Sequence, residues 1–215
     1  MYKAIFATLI AATAAISAQA VTFTSAPGAP DPGPAAGQTN LINFDAALPA
    51  GVTLTGNYAL VTGTVAGQYA APAGDTTRYL VIPGNGTNGT ADLQFGNIYG
   101  PVTSLSFYLG SIDTYNTISF LNGNSVIAGG TFTGGQFPPA VGDQASAGSN
   151  RRIFFTFAPS EMVTGIRFAS SNIALEVDSI AIAGVPEPRT WAMLILGFGM
   201  VGAAMRRRHP ETVSA

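Results

Sequence analysis

The side chains that could do chemistry in this chain are acids, hydroxyls, amides and aromatics. Its 215 residues contain no cysteine and one histidine, His209. That removes thiolate metal sites, cysteine nucleophiles and His-rich metal centres, and it leaves a Ser-His-Asp triad no histidine outside the extreme C-terminus. Glu176 and Asp178 stand two apart in an apparent last strand, so their carboxylates share one face. With Asp45 from an early strand they make a candidate Ca²⁺ set, because that cation takes roughly six to eight oxygen ligands. Asp113, with Tyr108, Tyr115 and Asn116, is a candidate sugar contact. There an aromatic face would stack on a sugar ring while short polar groups fix its hydroxyls. Asp113 and Glu161 are the pair a glycoside hydrolase would need, yet no spacing in the sequence brings them together. For each of these sets the plainer alternative is a solvated strand or turn acid.

Composition narrows the classes further. Charged residues are 9% of the chain and the net charge is -2, which excludes the basic face that nucleic-acid binding requires. With 47% hydrophobic residues the chain is not held open by its own charge. Gly 26 and Pro 14 favour many turns over long helices.

The elements that must position the candidates are short strands. Leu105, Phe107 and Leu109 alternate with Ser104, Ser106 and Tyr108. Ile153, Phe155 and Phe157 alternate with Arg152, Phe154 and Thr156, and Ile118 and Phe120 with Thr117 and Ser119. Period-2 patterning of this kind signals half-buried strands. Asn122-Gly123 suits a tight hairpin, and Asn85-Gly86-Thr87 and Asn88-Gly89-Thr90 read as turns. The expectation is an all-β, jelly-roll-like β-sandwich of eight to ten strands over residues 41–185. Residues 21–40, rich in Pro, Gly and Ala, read as a flexible leader.

The two ends read as addresses. Lys3, the apolar run Ala4 to Ile16 and the small-residue exit Ala18-Gln19-Ala20 have the order of a cleaved secretory signal over residues 1–20. Ala18 and Ala20 are the positions where the peptidase accepts small side chains, so the mature chain starts at Val21. At the other end, Trp191 to Met205 carries no charge and Arg206-Arg207-Arg208 follows directly. As a helix this run is about 22 Å long, short of the roughly 30 Å hydrocarbon core, so it spans only a thinned bilayer. The three arginines place the C-terminus in the cytoplasm, with the domain outside the inner membrane. Gly199 and Ala203 form a small-xxx-small pair on this helix. Two prolines in Pro186-Glu187-Pro188 keep the preceding stretch extended.

Pro186-Glu187-Pro188, two spacers, Trp191-Ala192, a Gly-containing apolar helix and the Arg206–Arg208 cluster together resemble the PEP-CTERM sorting domain, in its PEPxxWA variant. The resemblance covers residues 186–208 and implies a substrate of exosortase, a membrane protease that cuts near the Pro-Glu-Pro. It implies a non-enzymatic surface or extracellular-matrix protein associated with exopolysaccharide or biofilm. A carbohydrate-binding module holding that polysaccharide is the alternative, and a secreted glycoside hydrolase a remote one. Asn43-Phe44-Asp45, Gly74 to Leu80, Ser111 to Asn116 and Glu176 to Ile180 are similar to segments of other exosortase-dependent proteins. No cofactor is implied, apart from the candidate calcium.

Overall fold

Alternating apolar residues need two sheets to face each other, and the chain supplies them. The computed structural model describes residues 21–184 and 188–206. The strands are β1 (Thr22–Pro27), β2 (Thr39–Ile42), β3 (Thr53–Gly56), β4 (Ala59–Thr62), β5 (Arg78–Ile82) and β6 (Gly89–Gln94). They continue with β7 (Val102–Gly110), β8 (Asn116–Asn122), β9 (Ser125–Thr133), β10 (Arg151–Thr156), β11 (Gly165–Ser170) and β12 (Leu175–Gly184). One sheet runs β1-β10-β7-β12-β5-β4, with β2 also paired to β12, and the other runs β3-β6-β11-β8-β9. From β5 onward each strand crosses to the opposite sheet, except across the β8–β9 hairpin. The result is an all-β two-sheet sandwich, with twelve strands among the described residues where eight to ten were expected.

The core lies between the sheets and is rich in phenylalanine. Phe107 and Phe155 from one sheet meet Phe120, Phe132 and Phe168 from the other, all nearly or fully buried. Phe120 and Phe155 sit edge to face with ring centroids 4.6 Å apart, and Phe107 and Phe168 do so at 5.4 Å. These are the geometries in which the positive ring edge meets the negative ring face. In the β8–β9 hairpin Asn122 pairs with Ser125, so Gly123-Asn124 forms the two-residue loop, one place later than expected. Gly123 supplies the φ of +59° that this loop requires.

The alternation predicts a half-buried sheet, and here the structure departs from it. Ser106, Tyr108, Arg152, Glu176 and Asp178 point away from the core, yet all five are buried. The covering comes from two segments. Residues 21–40, expected as a flexible leader, are built into the fold: β1 pairs with β10 over six residues and β2 pairs with β12. Gln38 accepts the Ser106 hydroxyl (2.6 Å) and donates to Ser104 (3.1 Å). The loop after β4 lies over a second small apolar cluster of Tyr79, Val81 and Ala174. Composition hid the leader's docking, because only Val21 and Phe23 of this stretch pack on the core, and backbone pairing with a few polar contacts holds the rest.

Arg152 is the anchor of this covering. Its side chain is fully buried and grips Asp31 with two bonds, Nε to Oδ1 at 2.9 Å and Nη2 to Oδ2 at 2.6 Å. Nη1 donates to the Ser106 hydroxyl (2.9 Å) and Nη2 to the Ser179 carbonyl oxygen (2.8 Å). Ser179 stands in a bulge of β12 with φ at +52°, which aims that carbonyl.

The tail forms a helix, α1 (Pro188–Arg206), so the apolar run is helical as expected. The transmembrane helix expected over 191–205 needs correction on one point: no helix among the described residues is long and apolar enough to cross a membrane. Pro188, Arg189 and Thr190 fill the first turn, and Gly197, Gly199 and Gly202 dilute the rest. The signal segment 1–20, Pro186-Glu187 and Arg207-Arg208 lie outside the described residues.

Asp31→Ala tests the anchor. It leaves a buried guanidinium without its carboxylate and should cost about 3 kcal/mol in urea unfolding. Replacing both partners, Asp31→Ala with Arg152→Met, should recover much of that loss, because no unpaired charge remains.

Candidate functional site

Glu176 and Asp178 do share a face of β12, but the structure sends their carboxylates to different places. Glu176 lines a cleft of about 180 Å³ together with Tyr69, Ser111, Asp113, Tyr115 and Gln144. Asp178 lines a separate hollow with Asp31, Asp75 and Tyr108. Asp45 joins neither. It is exposed, takes the Asn43 amide on one oxygen and the Arg78 backbone N–H on the other (3.0 Å), and so fixes the turn after β2. Among the described residues no three acidic side chains come together to hold a metal ion. The Glu176, Asp178 and Asp45 set is therefore not assembled as expected, since the loop after β4 wedges onto this face and Asp45 turns outward.

The first cleft is built from the ends of four segments. Glu176 forms its floor. It is 2% exposed, with the Ala70 N–H donating to Oε1 (3.0 Å) and the Ser111 hydroxyl to Oε2 (2.9 Å). Burial dominates these bonds and pushes its carboxyl from the ordinary 4.5 up to about 7, with the nearby Asp113 charge adding to the rise. Asp113 is clamped on the wall. The Tyr115 hydroxyl shares its proton between Asp113 Oδ2 (2.6 Å) and the Ile173 carbonyl oxygen (2.7 Å). Burial first, and then Asp113, push the Tyr115 hydroxyl upward, so it stays a donor at any ordinary pH. Gly142 closes the loop over this pair: at φ +66° its ideal Cβ would stand 2.6 Å from Asp113 Oδ2, so a side chain there would collide with the carboxylate.

Of the expected sugar contacts, Asp113 and Tyr115 are brought together in this cleft. Asn116 is behind it and buried, with its amide donating to Ser170 and to the Ala174 carbonyl and its oxygen accepting the Asp113 N–H (2.7 Å). It shapes the wall and touches nothing from outside. Tyr108 is on the other hollow, its hydroxyl between the Gly28 and Ala73 carbonyl oxygens. The pair Asp113 and Glu161 is not formed. Glu161 takes the Ala158 N–H on Oε2 (2.7 Å) and lines a different hollow beside Asn122 and Val126. Sequence reasoning missed Tyr69 and Gln144, which sit in loops without periodicity. Asp31 and Asp75 were also missed, although the Gly74-Asp75-Thr76-Thr77 turn was a visible signal.

The tail is the second site, and its helix is apolar on every side. Met193, Ile195, Phe198, Met200 and Met205 are each at least 62% exposed. A helix apolar all round belongs inside lipid or protein.

Residues 184–208 match the PEP-CTERM protein-sorting motif, which agrees with the resemblance read from the sequence. No curated protein matches the chain. Two solved structures match at low similarity. One is a cleaved adhesin domain of Lys-gingipain, with TM-score 0.44 and 12% identity over 70% of this chain and 100% of that one. The other is a mutant of a family 29 carbohydrate binding module, with TM-score 0.41 and 13% identity over 78% of this chain and 98% of that one.

The raised carboxyls give a pH dependence with a definite sign. Glu176 and Asp178 both titrate near 7 when folded and well below that when unfolded, so the folded state holds more protons between about pH 4.5 and 7. Stability then falls as pH rises through that window. Thermal melts in EDTA should show a higher melting temperature at pH 5 than at pH 7.5. Glu176→Gln should flatten the slope.

Proposed function

We propose that this protein is a non-enzymatic, exported surface protein whose tail is processed by exosortase, freeing a folded β-sandwich into the extracellular matrix. The observation that carries the reading is position. The sorting motif begins at Gly184, the last residue of β12, so it overlaps the sandwich by that one residue. A cut near Pro186-Glu187-Pro188 removes no strand of the sandwich. Pro188 is the first residue of helix α1, a position where its missing N–H costs the helix nothing.

The tail's physics supports temporary anchoring. Helix α1 is about 28 Å long at 1.5 Å per residue, and its uncharged part is shorter. It holds the chain in the inner membrane only with Arg206–Arg208 at the cytoplasmic face and some thinning of the bilayer. An anchor this short suits a precursor that waits for a membrane protease.

The cleft over Glu176 supports a second role, contact with the exopolysaccharide itself. Tyr69 and Tyr115 supply aromatic surface, and Gln68, Gln144 and Asp113 supply polar groups that converge on one concavity. A hydrolase finds less support, because the Asp113 and Glu161 pair is not assembled.

The sorting reading is tested by Pro186→Ala with Glu187→Ala in a host that has exosortase. An immunoblot of membrane and released fractions should show full-length, membrane-retained precursor for the variant and a shortened released form for the wild type. If both keep a C-terminal tag in the membrane, the tail is a permanent anchor. For the second role, a glycan array probed with the released form should show binding that Tyr115→Ala weakens about tenfold, the loss of one stacking contact worth roughly 1–1.5 kcal/mol.

A further inference from the structure

Asp75 Oδ2 and Asp178 Oδ1 are both buried without a hydrogen-bond partner. Both residues line the same hollow of about 180 Å³, with Pro30, Thr77 and Tyr108 around them. Asp178 is 5% exposed, and its other oxygen takes the Ser179 hydroxyl (2.9 Å). Asp75 is held in place by Thr77, whose N–H and hydroxyl both reach Oδ1 (2.7 and 2.6 Å). A buried carboxylate oxygen with nothing donating to it is costly, and here two such oxygens belong to residues that line one hollow.

We propose that this hollow is a Ca²⁺ site held by the carboxylates of Asp75 and Asp178. The charge arithmetic favours a divalent ion. Asp31 also lines the hollow, but both its oxygens are taken by Arg152, so its charge is already balanced. The remaining two carboxylates, once both are ionised, carry two negative charges that a divalent cation balances. The chemistry of the lining favours Ca²⁺ over softer metals, because it offers oxygen donors and no imidazole or thiolate. The hollow has room for several waters, at roughly 30 Å³ each, to complete a large coordination shell. Mg²⁺ demands a near-ideal small octahedron, whereas a site assembled from loop and strand suits the flexible geometry of Ca²⁺. The burial and neighbouring charges that push the Asp178 carboxyl up to about 7 describe the cost that a bound cation would remove. The ion would tie two separate parts of the chain together, the turn at residues 74–77 and the bulge of β12, beside the segment after β1.

The test uses the full chain in mild detergent. Ca²⁺ at about one hundred times its dissociation constant should raise the melting temperature by about 5–10 °C over EDTA, because the ion binds the folded state alone. Equal Mg²⁺ should give a much smaller shift. Tb³⁺ should show tyrosine-sensitised emission, with Tyr108 lining the site, and Ca²⁺ should displace it. Asp75→Asn and Asp178→Asn should each abolish both responses. Asp75 stands on a loop, so Asp75→Asn decides the matter even if Asp178→Asn fails to fold. Identical wild-type melts in Ca²⁺ and EDTA with no terbium signal would overturn the site. A response kept intact in Asp75→Asn would overturn it equally.

Discussion

The fold depends on one buried cation. Arg152 projects from β10 on the side of the sheet away from the phenylalanine core, where a strand of alternating pattern would ordinarily meet water. Its four bonds reach Asp31, Ser106 on β7 and the Ser179 carbonyl on β12. A guanidinium is suited to this because its planar fork holds a carboxylate with two bonds and still has donors left for other strands. Burying it is costly, so the segment that carries Asp31 must stay down. The N-terminal stretch is thereby turned from a leader into a cover.

That cover gives the outer face of the sheet its chemistry. Because residues 28–38 and the loop after β4 lie on it, Glu176 and Asp178 are buried instead of solvated. Their carboxyls rise, and they become the floor of one cleft and the wall of another hollow. Two acids two residues apart on one strand thus serve two different cavities. The loop between them, closing through Ala70 on Glu176 and through Asp75 beside Asp178, makes the separation.

The inner strands with strict alternation, their phenylalanines and the tail motif were legible in the sequence because each is local, whereas β1 was not and fell in the expected leader. Period 2 reports which residues face the core, and Pro-Glu-Pro followed by an apolar run and arginines needs no tertiary context. The candidate sites were legible only in part. Asp113 and Tyr115, two residues apart, do meet, while Asp113 and Glu161 do not. Asp45 turns away to bond Arg78, and Asp31, inside a Pro-rich stretch, turns out to be the partner of a buried arginine. Those pairings are set by which loop folds over the sheet. A loop held by a few hydrogen bonds leaves no periodic trace in sequence.

The central claim is that the chain is a complete sandwich joined to a disposable tail. β12 lies within its sheet, paired with β7, β5 and β2, and its last residue is Gly184. The domain therefore loses no paired strand if the chain is cut just beyond. The most direct measurement is the intact mass of the form recovered from outside cells that carry exosortase. The account predicts a chain that starts at Val21 and ends near Pro186-Glu187-Pro188, without helix α1. A recovered chain that still carries Trp191 to Arg208 would contradict it.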